Sequence, residues 1–129
     1  MGEVKRVDKN EPERGWVLVV DDSEDAREFI QVCLEGNGYG VITAANGNEA
    51  FRVLLDRPSP KAILLDLLMP EMDGFEFLNL MRTYRRLARI PVIVISAVKA
   101  AKCDGCAGHL HKPIREGELL QSLEAATAF

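Results

Sequence analysis

The chain alternates between two hydrophobic rhythms. Short unbroken apolar runs, at residues 16–20, 62–65 and 92–95, and a nearly apolar one at 40–45, are separated by stretches in which apolar residues return every three or four positions. An unbroken run rich in Val, Ile and Leu predicts a strand covered on both faces, as in a parallel sheet. The wider spacing predicts helices. Ala26, Phe29, Ile30, Cys33 and Leu34 form one helical stripe, and Ala50, Val53 and Leu54 a second. Phe75, Leu78 and Met81 form a third, all expected to face inward, and Leu119, Leu120, Leu123 and Ala126 the last. The punctuation agrees with this reading. Ser23 suits a helix N-cap, with Glu24 and Asp25 in the first turn, and Asn46 with Glu49 and Asp73 with Glu76 have capping-box spacing. Gly36-Asn37-Gly38 and Arg57-Pro58-Ser59-Pro60 stop helices. Residues 109–112 are expected to form a short fifth strand and residues 115–127 the final helix.

Strands alternating with helices predict an α/β fold, a parallel sheet covered on both faces with right-handed crossovers. All strands of such a sheet exit at one edge, where ligands bind near the switch point of the winding. The residues at these exits are polar: Asp21-Asp22, Asp66, Ser96 and Lys112-Pro113. The topology therefore gathers three carboxylates, a hydroxyl and an ammonium from positions far apart in the chain. Clustered carboxylates repel unless a cation sits among them, and this oxygen-only set suits Mg²⁺. Nothing soft enough to recruit zinc stands at this edge. A carboxylate can also act as nucleophile and form an aspartyl-phosphate. Lys112 would then offset charge on the phosphoryl oxygens and Ser96 would donate a hydrogen bond to them. Ala97 is small and leaves room beside them.

Composition narrows the function. At 129 residues the chain makes one domain. Its formal net charge of −4 and pI of about 5.2 argue against direct nucleic-acid binding, which needs a basic face. No apolar run approaches the ~20 residues that span a bilayer, and the charged N-terminus lacks the apolar centre of a signal peptide. A cytoplasmic protein without a membrane partner is expected. Three cysteines, an odd number, do not suggest a disulfide framework. Residues 1–15 read as a flexible leader and residues 16–129 as the domain.

VLVVDD (17–22), LLDLLMPEMDG (64–74), PVIVISA (91–97) and HKP (111–113) together resemble the receiver domain of two-component response regulators. The resemblance implies five parallel strands wound flavodoxin-like in the order 2-1-3-4-5. It implies Mg²⁺- or Mn²⁺-dependent phosphorylation of Asp66 by a histidine kinase or histidine phosphotransfer protein, which switches partner binding. Asp22 would bind the metal directly, Asp21 mainly through water, and the backbone carbonyl of Leu68 would be a further ligand beside Asp66. Ser96 and Lys112 would hold the phosphoryl oxygens, and the bond before Pro113 would be cis. The protein would be a self-phosphorylating and self-dephosphorylating switch rather than a turnover enzyme. Leu68 and Val98 would flank the route of a hydrolytic water, and neither can orient it, so a phosphate lasting beyond seconds is expected.

Two departures stand out. Such domains carry Tyr or Phe three residues before the lysine as a moving switch. Here His109 holds that place, which puts the usual aromatic partner of Ser96 in doubt. Only eight residues, 97–104, separate Ser96 from Gly105, too few for two turns and a helix of ordinary length. The fourth helix is therefore expected to be shortened or irregular. Its loss would alter partner choice, bare part of the sheet and remove the usual dimer face, leaving a monomer or weak dimer. Cys103, Cys106, His109 and His111 have the look of a zinc box, but His109 and His111 are read as pointing to opposite faces, which favours a structural role. Two other classes share part of this pattern: a phosphorylation-independent binding module on the same fold, and a phosphohydrolase. The intact acids argue against the first. Against the second, such hydrolases carry another acid two residues after the nucleophile, where Leu68 stands.

Overall fold

The computed structural model describes residues 12–69, 74–98 and 103–128. Five strands form one sheet: β1 (Trp16–Val20), β2 (Gly40–Ala44), β3 (Ala62–Asp66), β4 (Val92–Ser96) and β5 (Gly108–His111). All pairings are parallel, in the order β2-β1-β3-β4-β5. The helices are α1 (Glu24–Glu35), α2 (Gly47–Asp56), α3 (Gly74–Arg82), a single turn α4 (Arg85–Ala88), and α5 (Glu116–Ala126). The expected doubly wound fold is present.

The apolar runs are unbroken because both faces of the strands are covered. Leu18 and Val20 of β1, Ile63 and Leu65 of β3, and Val92 and Val94 of β4 pack on one face with Ala50, Leu54, Phe77, Met81 and Leu87. The intervening Val17, Val19, Ala62, Leu64, Ile93 and Ile95 pack on the other face with Ile30, Cys33, Leu34, Leu119 and Leu123. The caps at Ser23 and Asn46 form: Ser23 Oγ accepts from the Ala26 amide at 3.2 Å, and Asn46 Oδ1 from the Glu49 amide at 2.9 Å. The returning Glu49 carboxylate accepts from the amide of Ala45, one residue before the cap. The cap read at Asp73 lies outside the described residues.

The helix faces differ from expectation at two positions. Phe77, fully buried, fills the core in place of Phe75, which is 45% exposed. The helix begins at Gly74, so its inward arc runs through Phe77, Leu78 and Met81. Phe29 is also largely exposed, beyond the arc of Ile30, Cys33 and Leu34.

Among the described residues of 97–107, between β4 and β5, none is helical, in line with the shortened or irregular helix expected after Ser96. The bared sheet that this predicted does not occur. Val92 and Val94 are buried, and Cys103 and Cys106 pack against the same cluster. The turn folds back because the Ala107 amide donates to the Val92 carbonyl at 2.7 Å.

Two cysteine and histidine expectations are corrected. Cys103 and Cys106 form a disulfide, with Cα atoms 5.6 Å apart, although no disulfide was expected. Parity of the cysteine count reveals nothing about a pair that a tight turn brings together, and Cys33 is simply left in the core. His109 and His111 do not face opposite ways. Residues two apart in a strand share a face, and both are exposed while Leu110 between them packs inward. Within the stretch read as a leader, the Arg14 amide donates to the Gly38 carbonyl and its guanidinium lies 5.0 Å from the Tyr39 ring centroid. Residues 1–11 lie outside the described residues.

Candidate functional site

Each site residue sits where a strand gives way to a loop. β1 ends at Val20, and the Asp21 amide still donates to the Ala44 carbonyl of β2, so Asp21 is held in the sheet edge. Its side chain is fully buried, with Oδ1 accepting from the Ser23 amide at 2.9 Å. Arg27 of α1 closes the same turn by donating to the Asp21 carbonyl at 2.7 Å. Asp66 ends β3 and is also buried, with Oδ1 accepting from the Leu68 amide at 3.1 Å. Ser96 ends β4, pairs in register with His111, and accepts at Oγ from the Val98 amide at 2.9 Å. That bond leaves the hydroxyl hydrogen for another acceptor. The described residues hold three buried polar or charged side chains, and they are these three: Asp21, Asp66 and Ser96.

Lys112 joins them from β5. Its ammonium lies 2.9 Å from Asp21 Oδ2 and 3.3 Å from Asp66 Oδ2. Pro113 follows through a cis bond. Asp22 is exposed, yet carboxylate oxygens of Asp21, Asp22 and Asp66 all lie within 4.8 Å of one another. Among the described residues this is the one cluster of metal-ligating type, so the cysteines and histidines of 103–111 do not assemble a metal box. His109 lies on the exposed side of β5, where its Nε2 accepts from the Cys103 amide at 3.1 Å.

The electrostatics follow from burial. Burial pushes the Asp66 carboxyl above its ordinary range, and the Asp21 charge adds to this; the Leu68 amide and Lys112 pull it back. For Lys112 burial acts downward, but the Asp21 and Asp66 carboxylates overcome it and hold the ammonium above the ordinary lysine value. Asp21 Oδ2 is buried without a hydrogen bond in good geometry, although the ammonium offsets its charge. Three carboxylates whose oxygens lie within 4.8 Å of one another, with one lysine among them, are a donor set that suits a hard divalent cation.

Gly74 guards the geometry. A Cβ there would stand 2.5 Å from both the Asp66 carbonyl oxygen and Leu67 Cα, so any side chain would push the end of β3 aside. Gly74→Ala is expected to destabilise the fold by about 2 kcal/mol through overpacking against backbone and to weaken Mg²⁺ binding. Thermal unfolding with and without Mg²⁺ checks both, and a wild-type response to the metal would remove Gly74 from the site.

Residues 17–124 match the family described as response regulator receiver domain. The chain belongs to that family. The receiver domain is similar to the chemotaxis response regulator CheY4 of Vibrio cholerae, at 31% identity and a TM-score of 0.79 over 86% of this chain and 97% of that one. It is also similar to the receiver domain of a sensor histidine kinase from Pseudomonas aeruginosa PAO1, at 28% identity and a TM-score of 0.80, covering 89% of this chain and 98% of that one. That structure carries a magnesium ion coordinated in the active site cleft. A third relative, the sensor histidine kinase CheAY of Helicobacter pylori, is 36% identical over 78% of this chain; the match covers 12% of that protein's length. Receiver domains of this family serve two-component systems and interact with histidine kinases and phosphotransfer partners. No helix among the described residues is long and apolar enough to cross a membrane.

All of Asp21, Asp22, Asp66, Ser96 and Lys112 thus fall at one sheet edge, as the run-end pattern predicted. The reading missed Arg27, which braces the Asp21 turn, and Gly74. Arg27 carried no signal beyond helical position, whereas Gly74 could have been suspected from its place opening a helix next to the loop after Asp66.

Proposed function

We propose that Asp66 accepts a phosphoryl group from a phosphohistidine donor and that the acyl phosphate switches affinity for a protein partner. The observation that carries this reading is the burial of Asp66 and Asp21 around one lysine in an otherwise apolar core, a costly arrangement with no structural need. An Asp66 carboxylate oxygen attacks phosphorus as the bond from phosphorus to the donor imidazole nitrogen breaks. Lys112 turns from its carboxylate partners toward the phosphoryl oxygens, and the Ser96 hydroxyl donates to one of them. Asp21, Asp22, Asp66 and the Leu68 carbonyl would hold Mg²⁺, or Mn²⁺, which supplies charge stabilisation at the phosphoryl oxygens when bound. The added charge, roughly −1.5 to −2, draws Ser96 and Lys112 inward and alters the loops that follow them.

The donor needs a route to Asp66. A cavity of about 570 Å³ lined by Asp25, Ala26, Phe29, Ile30, Lys112, Pro113 and Ile114 opens beside the site and shares Lys112 with it. The exposed Phe29 makes this an apolar seat for the donor protein. Leu68 and Val98, both largely exposed, offer no polar group to position a hydrolytic water, which supports a phosphate lasting beyond seconds. On this reading the chain is a cytoplasmic switch rather than a turnover enzyme, a monomer or weak dimer, and no partner of nucleic acid.

Titration with beryllofluoride, a phosphoryl mimic, followed by amide NMR tests the proposal. Shifts at Asp66, Ser96, Val98 and Lys112 that require Mg²⁺ are expected. No response with saturating Mg²⁺ would leave a phosphorylation-independent binding module instead.

A further inference from the structure

Beyond the phosphoacceptor site, the 103–107 turn carries chemistry of its own. The Cys103–Cys106 bond closes a ring across a sequence separation of only 3. Disulfide stabilisation through the unfolded chain grows with the logarithm of ring length, so this bond adds among the least a disulfide can. Both sulfur-bearing residues are half-buried rather than sealed in the core. A guanidinium nitrogen of Arg82, at the end of α3, lies 3.8 Å from Cys103 Sγ and donates to the Asp104 carbonyl at 2.6 Å. Gly105 takes a positive φ of 82°, and a Cβ there would stand 3.1 Å from that guanidinium, so the turn is shaped to let the arginine in. A fixed positive charge beside a sulfur lowers the thiol pKa and stabilises the thiolate that forms when the bond opens.

We propose that Cys103 and Cys106 are a reversible thiol–disulfide exchange site whose substrates are small thiols, dithiols and their disulfides. An incoming thiolate attacks Cys106 Sγ, and Cys103 leaves as a thiolate beside Arg82, whose guanidinium, 3.8 Å from Cys103 Sγ, stabilises the departing charge. A second thiol, from the same dithiol, then attacks the sulfur of the reductant in the mixed disulfide and releases Cys106. One dithiol is oxidised to its disulfide, and the protein gains two electrons and two protons. The reverse sequence closes the bond at the expense of an oxidised dithiol.

The state of the bond reaches the strands of the phosphoacceptor site. The Cys103 amide donates to His109 Nε2 at 3.1 Å, and His109 pairs in register with Val94. The Ala107 amide donates to the Val92 carbonyl. Opening the ring frees the turn between β4 and β5, whose far ends carry Ser96 and Lys112. This idea does not depend on phosphoryl transfer, since its readouts are thiol content and amide shifts.

The test equilibrates the folded full chain in buffers of stepped reduced-to-oxidised dithiothreitol, followed by rapid alkylation of the native state near neutral pH and mass measurement. Cys33 is buried and its thiol pushed up by burial and by Glu116, so native labelling reads only the turn pair. A reversible transition between no label and two is expected, absent in Cys103→Ser. Arg82→Gln is expected to slow reduction about threefold, because the departing Cys103 thiolate loses its positive partner. Reduction is also expected to shift the amides of Ala107 and His109. Thiols that stay unbridged in fully oxidised dithiothreitol, or a bond that opens only on unfolding, would overturn the proposal. Unchanged kinetics in Arg82→Gln would overturn the role given to Arg82, and unmoved amides at Ala107 and His109 the link to β5.

Discussion

Asp66→Asn is expected to reduce Mg²⁺-dependent phosphoryl uptake, from acetyl phosphate or a phosphohistidine donor, to background. The amide nitrogen cannot attack phosphorus, and the neutral side chain removes one of the three acids that would hold the metal. Phosphate retained on gels or in intact mass by the variant would place the acceptor elsewhere. The same variant is expected to be more stable than the wild type near neutral pH without Mg²⁺. Burial raises the folded carboxyl above 3.8, its ordinary value, with Asp21 adding to the effect. Between the ordinary and the raised values the folded state binds more protons than the unfolded one. Wild-type stability therefore falls as pH rises through that window and stays lower above it. Asn has no such titration. Urea unfolding from acid to neutral pH should show the two proteins converging in acid, and Mg²⁺ should close the gap at neutral pH by stabilising only the wild type.

Lys112→Met is expected to act in the opposite direction and more strongly on the fold. It leaves Asp21 Oδ2, from which the ammonium is 2.9 Å away, and Asp66 Oδ2, at 3.3 Å, without a cation in a buried site. Breaking a fully buried pair costs ~3–5 kcal/mol. Lys112 is 23% exposed, so solvent softens the loss to about 2 kcal/mol. A fall in Tm of roughly 5–10 °C follows for a domain of this size. Mg²⁺ should recover part of it, since a divalent cation offsets the same carboxylates. The lysine contribution also has a pH signature. Its folded pKa is raised, so the stabilisation is whole below the ordinary lysine value and is lost as pH rises through the folded one. Calorimetry of both proteins with and without Mg²⁺ checks this, and a variant as stable as the wild type in chelator would show that the ammonium does not hold the acids in place. Phosphoryl uptake should fall too, as no cation from the protein then meets the transferring oxygens.

The two variants separate the functional part of the site from its scaffolding. Losing the nucleophile relieves a buried charge, whereas losing the cation leaves two carboxylates exposed to each other. A cluster serving stability alone would be weakened by both changes.

Much of this was legible in the chain. The strands were visible because a sheet covered on both faces demands unbroken apolar runs, and the helices because Ser23 and Asn46 mark their starts. The site was visible because each run ends in a polar residue and parallel strands end together. Residues such as Phe75 and Phe77 were not separable, since a stripe read at helical spacing leaves its phase open until the first helical residue is known. His109 and His111 were misplaced by a parity error rather than for want of signal.

By itself, then, the sequence determined the winding and the membership of the site: the period of apolar residues dictates parallel strands, and parallel strands dictate a common edge. Only the tertiary structure decided how that edge is wired. Lys112 lies closer to Asp21 than to Asp66, Arg82 meets Cys103 across 21 residues, and the Ala107 amide reaches the Val92 carbonyl of β4. Those contacts join groups whose approach depends on how separate elements pack, and no local pattern in the chain encodes that packing.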